Sequence, residues 1–594
     1  MQYLTNRLSV VAAVALLLNA PLTPAQSLPE TPAARQYAAW RKAQESGDSA
    51  TIQKFLDEHM KWGRVQQELA MATRSGGYDL RRVEESSATR LIVLAQERGP
   101  AKQFTRITLN VEASPPNAIS GIGVAVVDPP ADLAPPKLTA QEAEAAKAAA
   151  PFRQFTRWLE AFNSGDRSTI SSFLSANFPT RPVEAEMNLR GQMTGFEMRA
   201  LEYASPTTAS GLVSAREGDE FARFLIEVEP AEPHRITRLT LRVVPRPAAY
   251  ALAPLSETAL VAALRERLTK DTEADRFAGA VILAKLTPGG PPKVLFSDAY
   301  GLADREKNIA NTLDTRFRVG SMNKMFTGTA ILQLVQAGKI TLTDPLGKYL
   351  TDYPNTEVAR KVTIHHLLTH TGGTGDIFGP EFAARRLELR TLDDYVKLYG
   401  RRDPLYEPGS RWQYSNYGML LLGVIVEKVS GKSYYDYVAD HIFTPAGMTR
   451  SGSEPENVAV EGRSVGYMGT PGRWAPNDNT LPYRGTSAGG GYSTVNDLMK
   501  FAAALMANKL LDARHTELLI TGKEKTPGGG MYAYGFDDAR VNGAGSVGHG
   551  GGAPGMNGML SIYPKTGYVV AVLSNLNPPA AQRVADFIGL RLAK

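Results

Sequence analysis

The sequence predicts a mixed α+β protein. Two small α+β repeats precede a larger α+β unit, an antiparallel sheet flanked by helices with a helical insertion. Three observations carry this. A block reading Ala39-Trp40-Arg-Lys-Ala-Gln-Glu-Ser46-Gly47-Asp48 returns as Arg157-Trp158-Leu-Glu-Ala-Phe-Asn-Ser164-Gly165-Asp166, an offset of 164 − 46 = 118. Proline-rich stretches separate the blocks. Strand-like apolar runs lie at both ends of residues 256–594, with helical and loop sequence between them.

Residues 1–26 read as a signal peptide. Arg7 supplies the positive start, Leu8 to Asn19 is almost wholly apolar, and Ala20-Pro-Leu-Thr-Pro-Ala25-Gln26 holds the cleavage region. The apolar run is short of the roughly 20 residues that span a bilayer. The expected location is therefore exported, periplasmic or secreted. A formal charge of +6 over 594 residues leaves no footprint for nucleic acid. The absence of cysteine excludes disulfides, thiolate metal sites and a cysteine nucleophile.

The first repeat is placed at 27–127, a Pro/Ala-rich linker at 128–149, the second repeat at 150–247 and a second linker at 248–255. Phe55-Leu56 matches Phe173-Leu174, and Gly77-Tyr78 matches Gly195-Phe196, at the same offset. Phe104 to Leu109 then aligns with Ile236 to Leu241, an offset of 236 − 104 = 132, which implies an insertion in the second copy. Each copy reads as a helix, Ser-Gly-Asp, a second helix and alternating strands such as Ala88–Leu94 and Arg106–Val111. That pattern resembles the nuclear-transport-factor-two-like cone. No Ser/His/Asp set recurs in both copies, so their expected roles are binding, spacing, or protein and self-association, not a second active site.

From residue 256 the texture changes. Thr258–Lys270 reads as a helix, and Phe277–Ala284 and Lys293–Tyr300 as strands. Mostly helices and loops run to about residue 510. Met556–Tyr563 and Tyr568–Leu573 read as closing strands and Ala580–Leu592 as a last helix.

Three short stretches in this unit carry chemistry. In Arg316-Phe-Arg-Val-Gly-Ser321-Met-Asn-Lys324, Ser321 and Lys324 are three apart at the start of an apolar helical run, hence on one face. A Ser hydroxyl is a weak nucleophile until a base takes its proton, and a desolvated Lys with a lowered pKa can be that base. Backbone N–H groups at the helix start face developing negative charge. Trp412-Gln-Tyr414-Ser-Asn416-Tyr-Gly418 precedes the apolar helix Met419–Val429. A Tyr hydroxyl near a Lys ammonium loses its proton more easily and can shuttle protons, and Asn416 offers an amide donor and acceptor. In Gly548-His549-Gly550-Gly551-Gly552-Ala-Pro-Gly555 the glycines admit close approach, and a backbone N–H can oppose that of Ser321.

In this order, Ser321-x-x-Lys324, Tyr414-Ser-Asn416 and His549-Gly-Gly551 resemble the serine β-lactamase and penicillin-binding-protein superfamily, in the branch of class C β-lactamases, DD-peptidases, D-aminopeptidases and family VIII esterases. The resemblance covers about residues 256–594, with Thr363–Gly373 and Ala488–Thr494 as supporting stretches. It implies a β-lactamase-like fold, Ser321 as nucleophile, Lys324 as base and Tyr414 as proton shuttle. It implies Asn416, His549 and Gly551 as substrate contacts, an oxyanion hole from the Ser321 and Gly552 N–H groups, and no metal or organic cofactor. The implied protein is a serine hydrolase working through an acyl-enzyme on esters or D-amino-acid peptides and amides, with a small-molecule or peptidoglycan-like substrate. The alternatives are a β-lactamase and, in another class, a peptidoglycan-docking protein with little turnover.

Three decoys are set aside. Lys565-Thr-Gly567 spells a common third motif of the family but falls between the last two strands. Gly485-Thr-Ser487-Ala-Gly489 matches a nucleophile elbow without the strand before it or the helix after it. His365, His366 and His370 lack the Glu that a metalloprotease helix needs, and are read as a structural helix end.

Overall fold

The computed structural model describes residues 27–592 except 61–62, 100–101, 113, 131, 134–137 and 541–544. The signal-peptide expectation falls outside these residues. Among the described residues no helix is long and apolar enough to cross a membrane. The chain divides into two compact units, one ending at Ala251 and one beginning at Leu252.

The first unit holds both repeats, and each is three helices followed by a four-stranded antiparallel sheet. The first has α1 (Pro32–Ser46), α2 (Ser49–His59), α3 (Val65–Ser75) and β1–β4 (Tyr78–Ser86, Arg90–Glu97, Phe104–Val111, Ile119–Val127). The second has α4 (Ala150–Ser164), α5 (Arg167–Asn177), α6 (Val183–Gln192) and β5–β8 (Phe196–Ala204, Thr208–Ala215, Phe221–Val228, Ile236–Val244). The shared Ser-Gly-Asp is helix punctuation. Gly47 and Gly165 end α1 and α4 with φ of 59° and 70°, and Asp48 and Asp166 cap α2 and α5 by accepting from the N–H groups of Thr51 and Thr169. Trp40 and Trp158 fill the two cores. Glu68 accepts from the Trp40 indole at 3.1 Å, and its counterpart Glu186 is paired with Arg181 at 2.8 Å; burial raises both carboxyl pKa values.

The structure corrects the later part of the repeat alignment. β3 corresponds to β7 (221 − 104 = 117) and β4 to β8 (236 − 119 = 117), so the offset hardly changes and no insertion enters. The alternation Thr-Arg-x-Thr-Leu is what any half-buried strand shows. It let the third strand of one sheet match the fourth of the other.

The second unit is built on an eight-stranded sheet. α7 (Glu257–Glu273) leads into β9 (Gly279–Lys285) and β10 (Lys293–Tyr300). The remaining strands come from the far end: β11 (Glu524–Lys525), β12 (Met531–Tyr532), β13 (Asp537–Asp538), β14 (Val547–Ala553), β15 (Met556–Ile562) and β16 (Tyr568–Ser574). Their order is β10-β9-β16-β15-β14-β13-β12-β11, so β9 pairs with β16 and joins the two ends of the unit. The apolar runs in β9 and β16 are continuous because both faces are covered. Ile282, Val569 and Ala571 face the large core shared with the helical insertion, and Val281, Leu283, Val570 and Val572 face α7 and the last helix, α10 (Ala580–Gly589).

Two central helices carry the residues of interest. α8 (Asn323–Gln336) and α9 (Asn416–Ser430) pack together, and their first eleven or so residues are buried on almost every side. A helix apolar all round belongs in a core, so its position is set by packing. Side chains at its N-terminus inherit that rigidity.

Candidate active site

Ser321 sits in a short 3-10 turn, Gly320–Met322, that runs straight into α8. Lys324 lies in the first turn of α8. It is 0% exposed, and its Nζ is 3.2 Å from Ser321 Oγ. The spacing of three therefore does what the sequence predicts. Nζ also donates to Asn416 Oδ1 at 2.7 Å and to the carbonyl oxygen of Ala488. Both partners can only accept, so they take two N–H bonds. A neutral amine keeps one lone pair, and the remaining direction is toward Ser321 Oγ. Burial lowers the Lys324 pKa from 10.5 to about 7, against the opposing pull of Asp376 and Asp537.

The loop around Ala488 is the wall behind this pair. Asn323 donates to Thr486 O at 2.6 Å, Thr327 to Ser487 O at 2.7 Å, and Gly490 N to Gly320 O at 3.1 Å. Ser487 is fully buried, its hydroxyl donating to Leu420 O at 3.3 Å. Lys565 lies in the turn between β15 and β16.

Tyr414 and Asn416 arrive on the loop that starts α9. Ser415 is the helix cap, accepting from Gly418 N at 2.9 Å, which leaves the Asn416 amide free for Lys324. Tyr414 is hydrogen-bonded to Ser321, and Lys324 Nζ lies 4.7 Å from the centre of its ring. The sequence expectation that the Lys charge eases loss of the Tyr proton needs correction. Burial dominates and raises the Tyr414 pKa, so Tyr414 remains a phenol. A phenol can still pass a proton while it receives another.

His549, Gly551 and Gly552 lie on β14, a regular strand of the sheet and not a loose glycine turn. The glycines serve close approach. Gly320 has φ 53°, and a Cβ there would stand 3.2 Å from the Gly552 nitrogen. A Cβ on Gly551 would come within 1.9 Å of Val319 O. These approaches set the backbone of β14 against the turn that carries Ser321. Gly551→Ala is expected to push β14 off the Ser321 turn. Overpacking of this kind costs about 1–3 kcal/mol, and the shift of β14 away from Ser321 is expected to lower kcat about 10²-fold. Thermal melts and kinetics on one preparation check both effects.

His549 is 5% exposed and both ring nitrogens are occupied. Nδ1 donates to Gly550 O at 2.5 Å, so Nε2 accepts from the Tyr532 hydroxyl at 3.1 Å. Burial lowers its pKa below the ordinary 6.5, with the Lys324 charge acting in the same direction and Asp537 against.

The structure adds residues that sequence reasoning passed over. His370, read as a helix end, lies just beyond the short helix Ile364–Leu368 at φ 60° and is buried. It holds Tyr414 from both sides. Its carbonyl accepts from Gln413 N at 2.9 Å, its Nδ1 accepts from Ser415 N at 3.2 Å, and its ring centre is 4.4 Å from that of Tyr414. Burial keeps it neutral, well below 6.5. His366 caps its own helix and His365 meets Tyr534 at 2.9 Å. Asp376, Tyr532 and Asp537 complete the surroundings. The signal for His370 was a bulky residue between helix end and Gly-Gly; nothing local pointed to Asp376.

Comparison with known proteins gives consistent results. The Beta-lactamase family matches residues 271–593. PbpX of Bacillus subtilis (strain 168) is 32% identical over 287 residues, 47% of this chain and 67% of that protein. Penicillin-binding protein 4 of Amycolatopsis lactamdurans is 30% identical over 303 residues, 47% of this chain and 76% of that protein. The crystal structure of a penicillin binding protein from Bacillus halodurans is 33% identical, with a TM-score of 0.49 over 54% of this chain and 98% of that one.

Proposed function

This chain belongs to the Beta-lactamase family, and on that premise we propose that it is an exported serine hydrolase that cleaves esters or D-amino-acid peptides and amides through an acyl-enzyme on Ser321. One observation carries the reading. Lys324 Nζ is tied to two carbonyl-type acceptors, with its remaining position on Ser321 Oγ and its pKa near 7.

Lys324 takes the Ser321 proton as Oγ attacks the substrate carbonyl carbon. The carbonyl oxygen becomes an oxyanion between the N–H groups of Ser321 and Gly552. Collapse breaks the bond to the leaving group, which takes a proton through Tyr414 from Lys324. Water then attacks the acyl-enzyme by the same route, and the proton returns to Ser321. Asn416 keeps Lys324 in place, while Gly551 and His549 border the substrate.

His549 bears on the choice of substrate. A family member with Lys at this position has a permanent cation for a substrate carboxylate. Here a buried neutral ring replaces it. A charge-assisted contact of about 1–3 kcal/mol is forgone, roughly 5- to 150-fold for anionic substrates and little for neutral ones. Weak β-lactamase activity and better turnover of uncharged esters or amides are therefore expected. The test is kcat/KM for an anionic substrate over a matched neutral one, from pH 5 to 8.5. From sequence alone the ratio would change near pH 6.5. Burial moves that change lower, so the ratio stays low and flat above about pH 6.5 and climbs only as the pH falls further. His549→Lys raises it throughout. A wild-type ratio favouring the anion at pH 8 would contradict the reading.

A further inference from the structure

The segment that follows His370 runs alongside the Tyr414–Asn416 loop and is bonded to it repeatedly. Thr374 Oγ1 is 3.0 Å from Ser415 Oγ, which also donates to Gly375 O. Asp376 comes next. Both its carboxylate oxygens lie 3.1 Å from Asn416 Nδ2. Its own place is fixed by Ile377 N, which donates to Oδ1 at 2.6 Å, and by Arg402, which donates to its carbonyl at 2.9 Å.

This geometry leaves Asn416 one orientation. A carboxylate accepts only, so it must face the Nδ2 donor. The Lys nitrogen needs an acceptor, so it must face Oδ1. We propose that Asp376 is a positioning residue for the base: it locks the Asn416 amide so that the carbonyl end holds Lys324, and it sets the electrostatic field in which Lys324 works. The inference rests on the hydrolase reading above, since it assigns Lys324 as the base.

The groups facing Lys324 come from four elements. Asp376 and Asp537 raise its pKa, and His370 and His549, both neutral, are coupled to it. Tyr414 faces it as an uncharged phenol. Removing the Asp376 charge takes away one of the two opposing anions. Lys324 should then lose its proton at lower pH.

The experiment is the pH profile of covalent labelling at Ser321 by a fluorescent phosphonate, which needs no identified substrate. In the wild type the rate constant rises through about pH 7. In Asp376→Asn, which keeps an acceptor for Asn416 but no charge, the midpoint is expected about one unit lower, with the high-pH plateau within a few-fold of wild type. In Asp376→Ala the midpoint shifts likewise, but the amide is free to turn and the plateau falls about tenfold. A purely structural role would lower plateaus without moving midpoints. An unmoved midpoint in whichever variants fold overturns the inference. A wild-type protein that takes no label at Ser321 overturns the hydrolase reading instead.

Discussion

Lys324→Met is expected to lower kcat for a neutral ester by roughly 10³-fold, with KM changed only a few-fold. Met fills the fully buried site without placing a charge there. It cannot take the Ser321 proton, and it gives up the bonds to Asn416 and Ala488. The pH behaviour identifies the cause. The neutral amine is the active form, so wild-type activity rises through about pH 7, with about a tenth of the base available at pH 6. In the variant that limb disappears. A second readout is stability. The folded-state pKa lies below the unfolded value, so between about pH 7 and 10.5 the unfolded chain holds a proton that the folded one has released. Stability therefore rises with pH across that window through this group, and Lys324→Met removes the rise. Kinetics and chemical denaturation at pH 6, 7.5 and 9 check both. A loss confined to KM would contradict the base role.

Tyr414→Phe removes one hydroxyl and leaves the ring packed against His370 and Lys324. The expected loss is about 10²-fold in kcat for an amide and clearly less for an ester of an acidic phenol, whose leaving group departs without a proton. Because burial keeps Tyr414 protonated, its ionisation places no alkaline limit on activity in the physiological range, and the acid limb near pH 7 is unchanged in the variant. Matched amide and ester kinetics for both proteins decide the point. Equal losses on the two substrates would mean that Tyr414 holds the site together but does not carry the proton.

Much of the catalytic unit is legible in the sequence because its signals are local. Ser321 and Lys324 meet by helical spacing, the apolar runs of β9 and β16 announce strands, and the apolar run Met419–Val429 announces the body of α9 but not its first turn, Asn416–Gly418, or its cap at Ser415. What escapes is long-range or environmental. Asp376 reaches Asn416 only because two distant loops lie side by side, and the Ala488 carbonyl leaves no trace in its side chain. The direction of the Tyr414 shift depends on burial, which spacing does not report. In the repeats, strand alternation marks strands but not which strand is which, so β3 was paired with the wrong partner.

The central claim is that Ser321 is the nucleophile, and covalent capture tests it most directly. The protein is incubated with a serine-reactive phosphonate at pH 8, digested, and the modified peptide located by mass spectrometry. The account predicts a single adduct on the peptide carrying Ser321, lost in Ser321→Ala with the melting temperature unchanged, and retained in Ser487→Ala. An adduct on Ser487, or labelling that survives Ser321→Ala, would contradict it.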